Sequence, residues 1–371
     1  MDSLVDFSAN PSFPEGIPTH PLEIINYKLL LANVKPEVER LWHACKTLGF
    51  NLSSSVSVES TDGLPDSLSE HGIQPEEVFE IGSQSLRNLP FEEKLKFLHD
   101  ANAGQSFGYK PPGANLTNAS GGVDTVEWWN IAKDDVRSYP EVTYRTYATP
   151  INDAMDKLKG FVDKSESVSR TLLKILNDKL CLPEGFLESC HAPTELSMSE
   201  VTLIRNPGVE EAPTFSEEQL AIGAHTDFGS ISLLHNILGG LQVLPPSTKE
   251  WIYIKPLDGH IVCNLGDALA VFSGGILRSN LHRVIPQPGP QIHWDRWTLV
   301  YFFRPHGTCE MRALVESEDV KEAVRESTNP FPHGISAIEW FQRRTKYFHK
   351  DENISAAESW KQAKGTEHGE F

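Results

Sequence analysis

His225-Thr226-Asp227, then His282 within Ser279-Asn280-Leu281-His282-Arg283-Val284, then Arg296-Trp297-Thr298: this ordered set decides how the rest of the chain is read. On an extended strand side chains alternate faces, so His225 and Asp227, two residues apart, project to one side and can grip a single ion. His282 follows 55 positions after Asp227, a gap long enough for several strands to leave and return beside the first pair. Two imidazoles and a carboxylate on one face of an octahedral metal leave the other positions open, the donor set of non-haem Fe(II) oxygen chemistry. Catalytic zinc accepts the same three residues, so the ligands by themselves leave the metal open. Arg296 comes 14 positions after His282 and is followed at i+2 by Thr298. Guanidinium and hydroxyl then share a strand face and can receive a carboxylate, for which the planar fork of Arg is suited. Val300 and Phe302 continue that face as apolar side chains, giving one cationic end and an apolar continuation, with a structural salt bridge as the alternative for Arg296.

The order His-x-Asp, distant His, Arg-x-Thr resembles that of the Fe(II)/2-oxoglutarate-dependent dioxygenases, and among them the isopenicillin N synthase-like branch. The likeness extends to Ser232-Leu233-Leu234, Gly239-Gly240-Leu241-Gln242-Val243, Trp251, Asn264-Leu265-Gly266-Asp267 and the run from Arg296 to Pro305. It implies a mixed α and β fold, a jelly-roll (double-stranded β-helix) core with flanking N-terminal and C-terminal helices. It also implies Fe(II) on His225, Asp227 and His282, with 2-oxoglutarate and O2 as cosubstrates and Arg296 and Thr298 on the distal carboxylate. The reaction it implies is oxidation of a small organic molecule, a secondary metabolite or hormone-like compound, with release of succinate and CO2. Two positions depart from the pattern. Thr298 replaces the commoner Ser but keeps the hydroxyl, and Asn206 stands where many relatives have Tyr, leaving open whether Asn206 or Arg205 helps hold the cosubstrate. The alternatives are a 2-oxoglutarate-independent oxidase of the isopenicillin N synthase type, and a non-catalytic binding protein on a jelly-roll scaffold.

A formal net charge of −18 argues against nucleic acid or an anionic membrane surface as partner, since both call for a basic patch. The five cysteines are scattered without Cys-x-x-Cys spacing and read as reduced packing residues. No basic segment followed by an apolar run opens the chain, and no window reaches the length of a membrane span. The expectation is a cytoplasmic monomer acting on a small-molecule substrate. Among fourteen histidines only His225 and His282 have contexts that match as a pair; His235, His260 and His293 read as structural, and His191, in a loop, is uninformative. Arg283 is expected in a structural ion pair and Asp267 at a tight turn.

Around the core, residues 1–20 read as a loosely held leader and 21–150 as an N-terminal region with a helix from Lys35-Pro36 to Gly49. That region carries an insert, 53–70, with seven serines between 53 and 69 and no aromatic residue, which is a surface loop or a gene-model error. The resemblance implies that this region crosses the mouth of the active site, which makes Tyr109, Trp128 and Trp129 candidates for substrate contact, with burial in the core as the alternative. Residues 151–195 form a packing helix and connector, with Asp163 to Ser169 as a candidate interruption. Residues 196–308 form the jelly roll, with strands expected at Ala268 to Phe272 and Arg278 to Val284 among others and the ligands on facing sheets. Residues 309–371 form a helical tail ending in a frayed polar stretch.

Overall fold

A computed structural model describes residues 9–54, 75–210, 220–327, 332–349 and 354–363. From residue 55 to Glu70, the expected insert lies outside the described residues, as do residues 1–8 of the expected leader. The strands are β1 (Ile24–Ile25), β2 (Phe50–Ser54), β3 (Gly108–Lys110), β4 (Glu127–Ala132), β5 (Glu200–Asn206) and β6 (Ile222–His225), then β7 (Ile231–Asn236), β8 (Leu241–Val243), β9 (Ile252–Tyr253), β10 (His260–Leu265), β11 (His282–Val284) and β12 (Arg296–Phe303). They form an eight-stranded sheet in the order β1-β2-β10-β7-β12-β5-β4-β3 and a four-stranded sheet in the order β6-β11-β8-β9. The two sheets with flanking helices are the jelly-roll arrangement that the sequence implies.

Strand β12 shows why the sequence folds this way. Trp297, Leu299, Tyr301 and Phe303 belong to the cluster that packs against the helices, with Leu158, Val162, Leu173 and Leu176 of the long helix Met155–Lys179. The alternate residues Val300 and Phe302 belong to a second cluster, with Leu241 and Val243 of β8, Val284 of β11 and Val262 of β10. Each fully buried aliphatic side chain contributes roughly 1.5–3 kcal/mol, and a one-residue slip of β12 would exchange the two faces. The register is therefore fixed by burial, and it places Arg296 and Thr298 on the inner face.

Several expectations are corrected. The long helix is continuous through 163–169 and separated from the short helix Thr149–Asn152 at Asp153 and Ala154. The polar run is accommodated because Arg137 holds Glu166 at 2.7 Å and the Ser169 hydroxyl donates to the Ser165 carbonyl. Residues 267–272 are a helix, Asp267–Phe272, with every residue buried. A fully buried apolar run carries no period that distinguishes strand from helix. Only His282–Val284 of the expected strand at 278–284 is extended in a sheet. Residues 9–20 are docked: Gln291 donates to the Pro11 carbonyl at 2.9 Å and His20 N–H to the Tyr253 carbonyl at 2.9 Å. In the tail a helix, Ala356–Ala363, follows Ala337–Phe348, tied to it by the Ser359 hydroxyl on the Tyr347 carbonyl. Cys181 is exposed rather than packed, and all five cysteines are free thiols.

His191, which gave no signal in sequence, is buried and ties two elements together. One ring nitrogen meets the Leu187 carbonyl and the other the Ser230 hydroxyl, both at 2.7 Å, and the ring stacks on Phe303. Burial pulls its pKa down to about 3. Above pH 6.5 the folded and unfolded states are both neutral at this group; below it the unfolded chain takes up a proton that the folded protein refuses. Stability is then expected to fall by up to about 1.4 kcal/mol per pH unit from this group. Urea unfolding of the parent and of His191→Gln at about pH 7 and about pH 5 checks this. The variant should lose less between the two pH values, and equal losses would refute the assignment.

Candidate functional site

His225 ends β6 and His282 begins β11, and the two are direct cross-strand partners. Both imidazoles therefore come from neighbouring strands of the smaller sheet, which corrects the expectation of facing sheets. Asp227 lies just beyond β6, and one donor atom from each of His225, Asp227 and His282 lies within 4.8 Å of the others. The orientation of each donor is set from behind. His225 Nδ1 meets the Gly223 carbonyl at 2.8 Å and His282 Nδ1 the Asn280 carbonyl at 3.2 Å. The Nε2 atoms are left facing Asp227 Oδ1 at 3.7 and 3.6 Å. Asp227 Oδ2 accepts from the Ser232 hydroxyl at 2.5 Å and from Asn264 Nδ2 at 2.7 Å. Burial pushes the Asp227 carboxyl up, but His282, His225, Ser232 and Asn264 together outweigh it and hold the group below its usual range. Burial and then His282 push His225 down to about 4. Two imidazoles and one carboxylate, with one donor atom of each converging, fit a divalent metal.

The loop that carries Asp227 is clamped by backbone. The N–H groups of Gly266, Asp267 and Ala268 donate to the carbonyls of Ser230, Asp227 and Gly229. A Cβ at Gly266 would sit 2.2 Å from the Gly229 carbonyl oxygen, so only glycine permits this approach. Asp267, expected at a tight turn, opens a helix and is fully buried. It accepts from the Thr226 hydroxyl at 2.9 Å and pairs with Arg344 of helix Ala337–Phe348.

Arg296 is 2 % exposed. Its Nε donates to the Gly239 carbonyl at 2.8 Å, one terminal nitrogen donates to the Thr298 hydroxyl, and the other, buried, has no partner. Burial pulls its pKa down to about 10. A buried cation with a spare N–H edge and a neighbouring hydroxyl suits an incoming carboxylate. Arg205 is already committed to Asp295 at 2.8 Å and Glu127 at 3.0 Å, and Asn206 to Thr125 and Gln287. Of these three side chains, the one with a buried nitrogen lacking a partner is Arg296. Arg283 donates to Gln242 at 2.8 Å and covers the Trp251 ring.

A cavity of about 140 Å³ opens beside His225 and Asp227, lined among others by Trp128, Thr202, Phe302, Phe341 and Phe348. Of the three aromatic candidates only Trp128 lines it; Tyr109 and Trp129 are buried in the helix-facing core. Sequence reading missed the support of Asp227 by Ser232 and Asn264, although both sit at inward positions of paired strands that a period-2 count would have exposed. Among the described residues no helix is long and apolar enough to cross a membrane.

Comparison with known proteins agrees with this geometry. The family described as 2OG-Fe(II) oxygenase superfamily matches residues 201–305. The 2-oxoglutarate-dependent dioxygenase iboH of Amanita muscaria is 36 % identical over 153 residues, 40 % of this chain and 71 % of that protein. A 2-oxoglutarate-dependent dioxygenase of Aspergillus fumigatus is 25 % identical over 331 residues, 81 % of this chain and 80 % of its own. A full-length Neurospora crassa protein, crystallised in complex with alpha-KG and thymine, shares the fold, with a TM-score of 0.67 at 22 % identity over 87 % of this chain and 96 % of that one. Likeness to iboH across most of that protein, with the superfamily match spanning β5 to β12, makes this chain a member of the 2OG-Fe(II) oxygenase superfamily, an Fe(II)- and 2-oxoglutarate-dependent dioxygenase.

Proposed function

We propose that His225, Asp227 and His282 are the Fe(II) ligands, that Arg296 and Thr298 receive the distal carboxylate of 2-oxoglutarate, and that the enzyme oxidises a small organic molecule of secondary metabolism. The observation that carries this reading is the spare buried edge of Arg296, on the same strand face as Thr298 and Val300. When bound, Fe(II) and 2-oxoglutarate supply O2 activation and the oxidising equivalents, with succinate and CO2 as the co-products. The chain's own part is placement. Ser232 and Asn264 hold one Asp227 oxygen so that the other faces the histidines, and the apolar cluster around Val243, Val284 and Val300 keeps water from the inner sheet face. Phe302, Phe341 and Phe348 shape the cavity in which a substrate C–H bond is oriented. A small-molecule substrate is supported by the complexes of neighbouring folds, the Neurospora protein with thymine and JOX2 with JA. The same reading assigns residues 196–308 to the catalytic core and 309–371 to its closure.

Anaerobic titration of the Fe(II)-loaded protein with 2-oxoglutarate tests the assignment. A weak visible metal-to-ligand charge-transfer band should grow to saturation in the parent and be absent from His282→Ala and Asp227→Ala. A variant that keeps bound iron and the band would remove that residue from the ligand set.

A further inference from the structure

The cavity wall opposite the metal ligands is polar in a specific way. On β5 the inward positions Glu200, Thr202 and Ile204 stand beside Asn130 and Trp128 of β4 and Phe302, Val300 and Thr298 of β12. Among the described residues lining the cavity the one guanidinium or ammonium cation is Arg304. It is already matched, donating to Glu200 Oε1 at 2.8 Å and to the Met198 carbonyl. The other Glu200 oxygen accepts from the Ser106 hydroxyl at 2.7 Å. The wall therefore carries no net charge, and its carboxylate is satisfied.

What remains unsatisfied is donors. Arg304 Nε and Trp128 Nε1 are buried without a hydrogen-bond partner, and neither atom can accept. His99 Nδ1 and the Thr345 hydroxyl, also of lining residues, lack a partner too, and each can donate or accept. Burial, with His349, Lys110 and Arg145 adding to it, pulls His99 down to about 3, so it supplies no positive charge near neutrality. A buried donor left without a partner is destabilising, and an acceptor on a ligand would offset that cost. A carboxylate on the ligand would bring a charge that Arg304, already matched by Glu200, does not offset.

We infer, building on the oxygenase reading of this site, that the substrate is an uncharged molecule carrying a carbonyl-type oxygen, as in an amide, lactam, lactone or ketone. Arg304 Nε receives that oxygen, and the apolar body of the molecule lies among Phe302, Phe341 and Phe348. Glu200 is the specificity-determining partner, because it cancels the charge by which Arg304 would otherwise select acids. The Trp128 indole N–H offers a second donor toward the opposite end of the same sheet face.

Matched acid and amide probes test this: benzoate and benzamide, phenylacetate and phenylacetamide, nicotinate and nicotinamide. Binding is read anaerobically from the shift each causes in the charge-transfer band of the Fe(II)- and 2-oxoglutarate-loaded protein, and independently by equilibrium dialysis. In the parent the amide of a bound pair should be tighter by about tenfold or more. In Glu200→Gln, which leaves Arg304 uncompensated, the gap should close or reverse. Tighter binding of the acids by the parent, binding of no member of any pair, or an unchanged gap in a folded Glu200→Gln each overturns the inference. Failure of the band to form with 2-oxoglutarate alone would instead overturn the oxygenase reading, and dialysis separates the two.

Discussion

Replacing Arg296 with Met is expected to raise the dissociation constant for 2-oxoglutarate by about 100-fold or more, while changing the stability of the ligand-free protein by no more than about 2 kcal/mol in either direction. The two halves have different causes. Binding loses a charge-assisted pair, and hydrogen bonds to charged groups contribute about 1.5–3 kcal/mol each. Without ligand the guanidinium is a liability: it is buried, holds only a carbonyl and a hydroxyl, and has one terminal nitrogen without a partner. Burial pulls its pKa down to about 10, in line with a cation that the folded chain compensates poorly. Removing it relieves that cost and forfeits the bonds to the Gly239 carbonyl and Thr298, two quantities of similar size and opposite sign. The unbranched Met stem keeps most of the packing. Anaerobic titration of the charge-transfer band, with urea unfolding of the ligand-free protein alongside, measures both. Arg296→Lys should recover only part of the affinity, since a single ammonium cannot reach Gly239, Thr298 and a carboxylate together. Parent-like binding by the Met variant would make Arg296 a structural residue only.

How much of this was legible depends on whether a residue's partners are written near it. His225 and Asp227 were readable because they sit two apart at a strand end, and Arg296 with Thr298 for the same reason. The alternation of β12 let its inner and outer faces be separated from sequence alone. The pairing of β6 with β11 was not readable, because 57 positions separate His225 from His282 and sequence distance does not say which strands become neighbours. Residues 267–272 misled for a different reason: a run buried on all sides carries neither the strand period nor the helix period. Glu200 and Arg304 lie 104 positions apart, and neither had a local signal beyond being a charge beside an apolar strand. Asp267 gave the same difficulty, since its partner Arg344 is 77 positions away in the tail.

That last pair carries the other large effect. Arg344→Met is expected to destabilise the protein by about 3–5 kcal/mol, because it strands the Asp267 carboxylate in a site where both side chains are at most 1 % exposed. The same change should weaken Fe(II) binding by about tenfold. Asp267 holds the Thr226 hydroxyl, between two of the proposed ligands, and its own N–H donates to the Asp227 carbonyl. Arg344 therefore links the tail to the loop that carries Asp227, while Thr345 and Phe348 on the same helix line the cavity. The guanidinium also lies 3.9 Å from the centre of the Phe228 ring, so loss of packing contributes as well as loss of charge. A double-mutant cycle with Asp267→Asn separates these: the ion pair predicts that the two changes together cost less than their sum by about 1 kcal/mol or more. Urea unfolding gives the coupling, and competition with a chelator of known affinity gives the iron term. Additive costs would assign the effect to packing against Phe228 and Trp340. Unchanged iron affinity in a destabilised variant would show that the tail closes the cavity without positioning the ligands.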